Sequence, residues 1–189
     1  TLHMHIKIKL FKSYCSSIYG SELWSLEDDV LQDFCCSWRT AIRRLLNLPF
    51  NAHCFLLPIL TGTLPVFDEI CKRSSRFINS CLRSRNNLVR SIALHSIVHG
   101  KYYSPLGRNL RFCCRRFSWQ LEDFLLGFVS LNDDCFHNFC MNNIPVAQLQ
   151  IASLVDELLS LREGFVTFDC DNFLSKSDII VLLNAACIK

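Results

Sequence analysis

Apolar residues recur every three or four positions along most of this chain, a spacing that places them on one side of an α-helix. The clearest run is Phe67, Ile70, Cys71, Ser74, Phe77, Ile78, Cys81 and Leu82, opened by Pro65, a residue well suited to the first helical position. Upstream, Ile8, Phe11, Cys15, Ile18 and Tyr19 share a face, and Gly20 closes it. A second helix is predicted from about Asp28 to Asn47, with Leu31, Phe34, Trp38, Ile42 and Leu45 inside. Gln32, Cys36, Arg39 and Arg43 form its other stripe, and Asn47 and Pro49 end it. Further helices are predicted over Asn87 to His99, Gln120 to Leu131, Val146 to Arg162 and Ser177 to Cys187. Gly164 stops the third of these, and Ser177 caps the last with Asp178 in its first turn.

Between these runs, Asn51 to Leu60 is a short apolar segment closed by Thr61-Gly62-Thr63. Lys101 to Asn109 reads as a loop, Arg108 to Arg116 as a basic segment, and Asn132 to Asn143 as polar and turn-like. The expected fold is all-α: an irregular bundle of at least six helices with no substantial sheet.

Charge is distributed unevenly. The net +3 conceals a balance of −2 over residues 1–38 and of −7 over 117–189. Between Arg39 and Arg116, 14 Lys and Arg face only Asp68 and Glu69, a local balance of +12. The chain accordingly divides into a helical bundle at 1–62, a basic helical region at 63–118 and an acidic helical tail at 119–189. A block this basic suits a polyanion, most commonly nucleic acid; the alternative is a face neutralised by the acidic tail folding back on it. Phosphate contacts need exposed Lys or Arg and give affinity without reading sequence. Arg39 and Arg43 on the polar side of the second helix meet that need, with Arg44 and Lys12 as secondary candidates. Lys72, Arg73 and Arg76 fall off the apolar stripe of their helix, and Arg108, Arg111, Arg115 and Arg116 crowd the basic segment. Trp24 and Trp38 sit at core spacing rather than as stacking platforms for bases.

No catalytic set is legible. Asp28-Asp29 and Asp133-Asp134 are the only paired aspartates that invite two-metal chemistry. The first pair reads as a helix start, where acids complement the dipole, and the second as part of a turn. There is no glycine-flanked serine elbow, and the 6 glycines are unclustered, so a phosphate-cradling loop is lacking too. Cys113, Cys114, Cys135, His137 and Cys140 are the nearest approach to a zinc set, but structural zinc prefers pairs two to four residues apart at both ends. His95 and His99 stand four apart without the Glu of a zincin motif. No metal, cofactor or small-molecule ligand is expected.

No stretch approaches the roughly 18 apolar residues of a membrane span. Lys7, Lys9 and Lys12 interrupt what would be the core of a signal peptide. The 12 cysteines are therefore expected to be reduced, in the cytoplasm or nucleus, and to pack as small hydrophobes; Cys15, Cys71 and Cys81 lie on helical stripes. The opening Thr1 predicts a fragment or processed product, with Met4 an alternative start.

Several blocks carry a resemblance. Lys9-Leu10-Phe11-Lys12-Ser13-Tyr14-Cys15 and Tyr19-Gly20-Ser21-Glu22-Leu23-Trp24 are followed by Ser37-Trp38-Arg39-Thr40-Ala41-Ile42-Arg43-Arg44, Leu48-Pro49, His53 and Leu56-Leu57-Pro58. Asn86 to Leu94, Ser104-Pro105-Leu106-Gly107-Arg108-Asn109 and Val155 to Gly164 continue the series. In order and spacing these resemble the thumb and post-thumb region of LINE-type non-LTR retrotransposon reverse transcriptases. The resemblance implies a helical thumb that holds an RNA or RNA–DNA template-primer against a palm domain lying before Thr1. No residue here matches the family's Tyr/Phe-Ala-Asp-Asp catalytic hairpin, so the implied role is supporting and non-catalytic. The rival expectation is a helical protein-interaction module, a domesticated or decayed transposon remnant.

If the cysteines serve packing rather than ligation, chelators should leave the thermal midpoint of the purified chain unchanged. Stoichiometric zinc together with unfolding on chelation would count against that reading.

Overall fold

The computed structural model describes residues 4–100 and 103–145, together with 149, 150 and 153. Among these residues the fold is all-α, with eight α-helices, one 3-10 turn and no strand. None of the helices is long and apolar enough to cross a membrane. The described residues fall into two compact units, one containing 4–17 and 36–63, the other 18–35, 64–100 and 103–142. The units interleave along the chain, so neither is a single continuous segment such as 1–62, 63–118 or 119–189.

The first unit is built on α1 (Met4–Cys15), the C-terminal part of α2 (Asp29–Leu45) and α3 (Leu56–Thr61). Its core gathers Ile8, Ile42, Leu46, Leu48, Ala52, Leu56, Leu57 and Leu60, with Phe11 and Trp38 half-buried against it. Those two rings meet at 4.9 Å, so Trp38 packs, as its spacing predicted. The segment Asn51 to Leu60 is helical in its second half. Pro58 lies in the first turn of α3, where its missing N–H costs nothing. Gly62 ends the helix at φ 58°, a left-handed conformation that places its N–H on the Ile59 carbonyl and that of Thr63 on Pro58. Helix α1 stops at Cys15, short of the face expected to run on to Tyr19. Ser13 Oγ donates to the Lys9 carbonyl and Ser17 Oγ to Tyr14, hydroxyl contacts that compete with the helical ladder. Cys15 is exposed rather than packed.

In the second unit, α4 (Val66–Leu82) is the central element and packs against the 3-10 turn Ser21–Leu23, α5 (Asn87–Val98), α6 (Pro105–Phe117) and α7 (Leu121–Leu126). Its apolar stripe becomes core as predicted: Ile70, Cys71 and Ile78 are fully enclosed. Ile78 and Leu82 join Ala93, Ile97, Leu110, Cys114 and Phe124 in one cluster. The expected loop over Lys101 to Asn109 is corrected, since α6 starts at Pro105, in the N1 position with Ser104 before it. The turn expected over Asn132 to Asn143 is instead α8 (Asp133–Asn142). Asn132 Oδ1 caps it by accepting the Cys135 N–H at 3.0 Å. Phe136 and Phe139 pack on Phe117, and Phe136 also meets the edge of Trp119. Asp133-Asp134 thus occupies a helical first turn, where acids oppose the positive end of the dipole. The helix predicted over Val146 to Arg162 lies almost wholly outside the described residues, and that over Ser177 to Cys187 entirely so.

One buried amide organises this unit. Asn109 is 4 % exposed on the inner face of α6. Its Nδ2 donates to the Trp24 carbonyl at 2.7 Å and reaches Ser74 Oγ on α4 at 3.5 Å. Its Oδ1 accepts the Leu26 N–H at 3.1 Å. Arg73 adds a bond to the Ile18 carbonyl at 3.1 Å. The irregular segment 18–27 is therefore tied to α4 and α6 through its backbone, which explains how a stretch without helical periodicity is held.

Asn109→Ala strands the Leu26 donor and the Trp24 acceptor away from water. Each orphaned group costs about 1–3 kcal/mol, so urea unfolding should show a loss of roughly 2–4 kcal/mol; a change under 1 kcal/mol would remove Asn109 from this role.

Candidate functional site

The eleven basic residues singled out in the sequence fall into two groups once their side chains are placed. Five are engaged inside the fold. Arg43 Nε and Nη2 both donate to the Ala52 carbonyl, at 3.0 and 2.8 Å, closing the loop between α2 and α3. Lys72 is buried and pairs with Glu69 and Asp133. Arg73 bridges to Glu69 at 3.0 Å. Arg76 donates to the Leu131 carbonyl at 2.8 Å and pairs with Asp133. Arg116 pairs with Asp68, which is 3 % exposed, and lies over the Phe67 ring at 5.0 Å. Expecting Lys72 or Arg43 to be an open phosphate contact is thus corrected. A helical position off the apolar stripe can still be covered by a neighbouring element, and α8 covers Lys72.

The charges answer one another. Asp133 is held below the usual carboxylate range by the hydrogen bond and charge of Lys72, with Arg76 adding to both. Burial works against the Arg116 guanidinium, but the hydrogen bond and charge of Asp68 outweigh it and hold the group above its ordinary value. Part of the basic block is therefore paired with acids of its own unit, Asp68 and Glu69 from within the block and Asp133 from beyond it.

Of the remaining candidates, Lys12, Arg44 and Arg115 are exposed, and Arg39, Arg108 and Arg111 are half-buried. Lys12 is exposed and touches the Gly62 carbonyl at 3.2 Å. Arg39 reaches Cys36 Sγ on its own helix, and Arg44 is exposed. The most organised set is on α6. Arg108, Arg111 and Arg115 stand at steps of three and four on one face, opposite the face that buries Leu110, Cys113 and Phe117. They line a cleft of about 380 Å³ that Glu27, Cys114 and Trp119 complete. Arg115 Nη2 bonds Glu27 Oε1 at 2.7 Å, and Arg111 Nη2 reaches the Ile97 carbonyl at 3.4 Å. Arg108 has no hydrogen-bond or ion-pair partner among the described residues, and the Nε–H groups of Arg108 and Arg111 are both buried without an acceptor. An unpaired buried donor costs about 1–3 kcal/mol, so this helix face is organised at some expense to stability.

Trp119 also lines the cleft. Its ring is stacked with Phe117 at 4.8 Å and with Phe124 at 6.0 Å. Sequence reasoning grouped these arginines by density alone. Glu27, Cys114 and Trp119 were missed as their neighbours, since Glu27 arrives from a segment more than eighty positions away.

No convergent acid, base and nucleophile set accompanies the cleft. Among the described residues no three His, Cys, Asp or Glu side chains come together as metal ligands. Cys71 and Cys113 adjoin in the core, where the hydrogen bond between them and burial push the Cys71 thiol up. Burial pushes Cys114 up to about 11 and Cys140 up to about 12, the latter helped by the charge of Asp68. No family model, curated protein or solved structure matches the chain.

The thiols give a direct readout of this packing. The thiolate is the nucleophile, and a pKa near 11 lowers its population at neutral pH by roughly two orders of magnitude relative to a free cysteine. Alkylation at about pH 8 should modify Cys15, Cys36, Cys54 and Cys135 first. Cys71, Cys113 and Cys114 should react only as fast as the fold opens. Peptide mapping that finds Cys113 or Cys114 modified as early as Cys15 would contradict the packing described.

Proposed function

We propose that this chain acts as a non-catalytic, backbone-binding helical region: the thumb and post-thumb part of a LINE-type non-LTR reverse transcriptase, which steadies a template-primer duplex for a palm domain. The observation that carries the proposal is the row of Arg108, Arg111 and Arg115 along one face of α6, on a helix whose other face is locked into the core. A duplex backbone presents phosphates at regular intervals, and guanidinium groups on a rigid helix meet them without ordering a loop. The all-helical architecture agrees with a thumb, and the sequence blocks from Lys9 to Trp24 and from Ser37 to Arg44 supply the family resemblance.

A second reading has its own observation. Helix α5 leaves Leu88 and Ile92, one turn apart on one side, exposed at 67 and 58 %, with Val89 beside them at 39 %, apolar side chains of the kind a protein partner covers. On that reading the chain is a helical interaction module, and its basic residues serve mainly the internal pairs with Asp68, Glu69 and Asp133.

Duplex binding across a salt series separates the two. Each phosphate neutralised gives a log–log slope of about −0.9 on a B-form duplex, so three contacts give roughly −2.7. Arg108→Gln, Arg111→Gln and Arg115→Gln together should weaken binding to all sequences about equally and flatten the slope by about that amount. The Arg43→Ala variant should instead lower stability, since it releases the Ala52 carbonyl. Absence of duplex binding at low salt by the folded chain would favour the interaction module.

A further inference from the structure

We infer that the cleft beside α6 is a binding site for a phosphate monoester, such as the end of a phosphorylated strand or a free nucleotide. This goes beyond backbone binding and does not rest on it, because a duplex backbone offers only diesters.

Charge is the first argument. The cleft holds the guanidinium groups of Arg108, Arg111 and Arg115 against the single carboxylate of Glu27, an excess of two positive charges. A monoester carries about −1.5 to −2 at neutral pH, whereas each diester linkage carries one negative charge. Size is the second. The volume of about 380 Å³ lies at the lower end of small-ligand pockets, roughly 300–1,000 Å³. That admits one phosphate with its ester substituent. Donor availability is the third. Arg108 has no hydrogen-bond or ion-pair partner among the described residues, so its guanidinium is uncommitted within the protein. Phosphate oxygens are the acceptors to which paired guanidinium groups are matched.

Glu27 completes the assignment. Its carboxylate holds Arg115 at 2.7 Å and stands in the cleft as an internal anion that a ligand must displace. The backbone beside it is fixed, because Asn109 binds the Leu26 N–H and the Trp24 carbonyl. Leu121 and Trp119 supply apolar lining for the ester substituent. The ring faces of Trp119 are stacked on Phe117 and Phe124, so recognition rests on the phosphate rather than on a stacked base.

The test compares two pairs of probes on the full chain: a short single-stranded oligonucleotide with a 5′-phosphate or a 5′-hydroxyl, and a nucleoside 5′-monophosphate or its nucleoside. Titration calorimetry at fixed ionic strength should show the phosphorylated member of at least one pair binding about ten-fold tighter, the scale of one charge-assisted hydrogen bond. Preference within the oligonucleotide pair identifies a strand end as the source; preference confined to the second pair identifies a free ester. Arg108→Ala, which breaks no described contact, should abolish the preference while the melting transition stays in place. Glu27→Gln should raise affinity for the phosphorylated probe several-fold by removing the internal competitor, an effect that a purely structural Glu27 would not give. Equal binding of both members in both pairs, or a preference that survives in folded Arg108→Ala, overturns the inference. Either result leaves salt-dependent duplex binding to be judged by its own titration.

Discussion

The second unit depends on the amide of Asn109. Segment 18–27 offers a single short 3-10 turn and little periodicity, yet it must lie against two helices. Backbone groups in such a segment are expensive to bury unless each finds a partner. Asn109 supplies both a donor and an acceptor from one side chain and adds Ser74 of α4 to the same point. An apolar residue at this position would leave both the Trp24 carbonyl and the Leu26 N–H without this partner. The consequence reaches the outer face of α6: once Leu26 is fixed, Glu27 stands where it meets Arg115. A buried amide on one side of the helix thus positions the acid that faces the arginines on the other.

Charge plays two roles on neighbouring elements. On α4 it is structural, because Lys72, Arg73 and Arg76 face Glu69 and Asp133, and Asp68 receives Arg116. The pair formed by Asp68 is the costly one, for that carboxylate is almost fully enclosed and would be strongly destabilising without its partner. Asp133 remains largely exposed, so its contribution is screened and small. On α6, by contrast, guanidinium groups accumulate faster than acids arrive to meet them. The imbalance is local, and it is this local excess, rather than the net charge, that makes α6 the candidate surface.

Two surfaces of the second unit therefore differ in kind. The α6 face is polar, cationic and backed by a packed core, which suits an anionic ligand held by preorganised donors. Helix α5 instead leaves Leu88 and Ile92 exposed one turn apart and holds Arg90 as its one Lys or Arg. Gly127 shows how closely the intervening elements are fitted. At φ 85° it turns the chain after α7 in a conformation that side chains rarely adopt, with the guanidinium of Arg83 lying against it. Leu125 accepts from that same group, so the turn and the arginine define each other.

Helical class was legible in the residues because period is a local property. Phe67 to Leu82 could bury its apolar stripe only as a helix, and α4 does so. Local rules also carried the start of α8, where Asn132 precedes two acids and Phe136, Phe139 and Cys140 follow at helical spacing; the density of polar residues concealed that pattern. Ser104-Pro105 likewise marked the start of α6, a signal that reads equally well as a loop until the helix is seen. What the sequence could not express was the fate of its cations. Lys72 and Arg108 are alike as residues off an apolar stripe, yet one is covered by Asp133 from a helix some sixty positions away and the other faces an open cleft. Whether a charge is neutralised depends on which distant segment folds over it. The amino-acid order alone determined an all-helical chain with a basic centre; only tertiary packing decided which arginines remain for a ligand, because pairing is set by distance in space and not by distance along the chain.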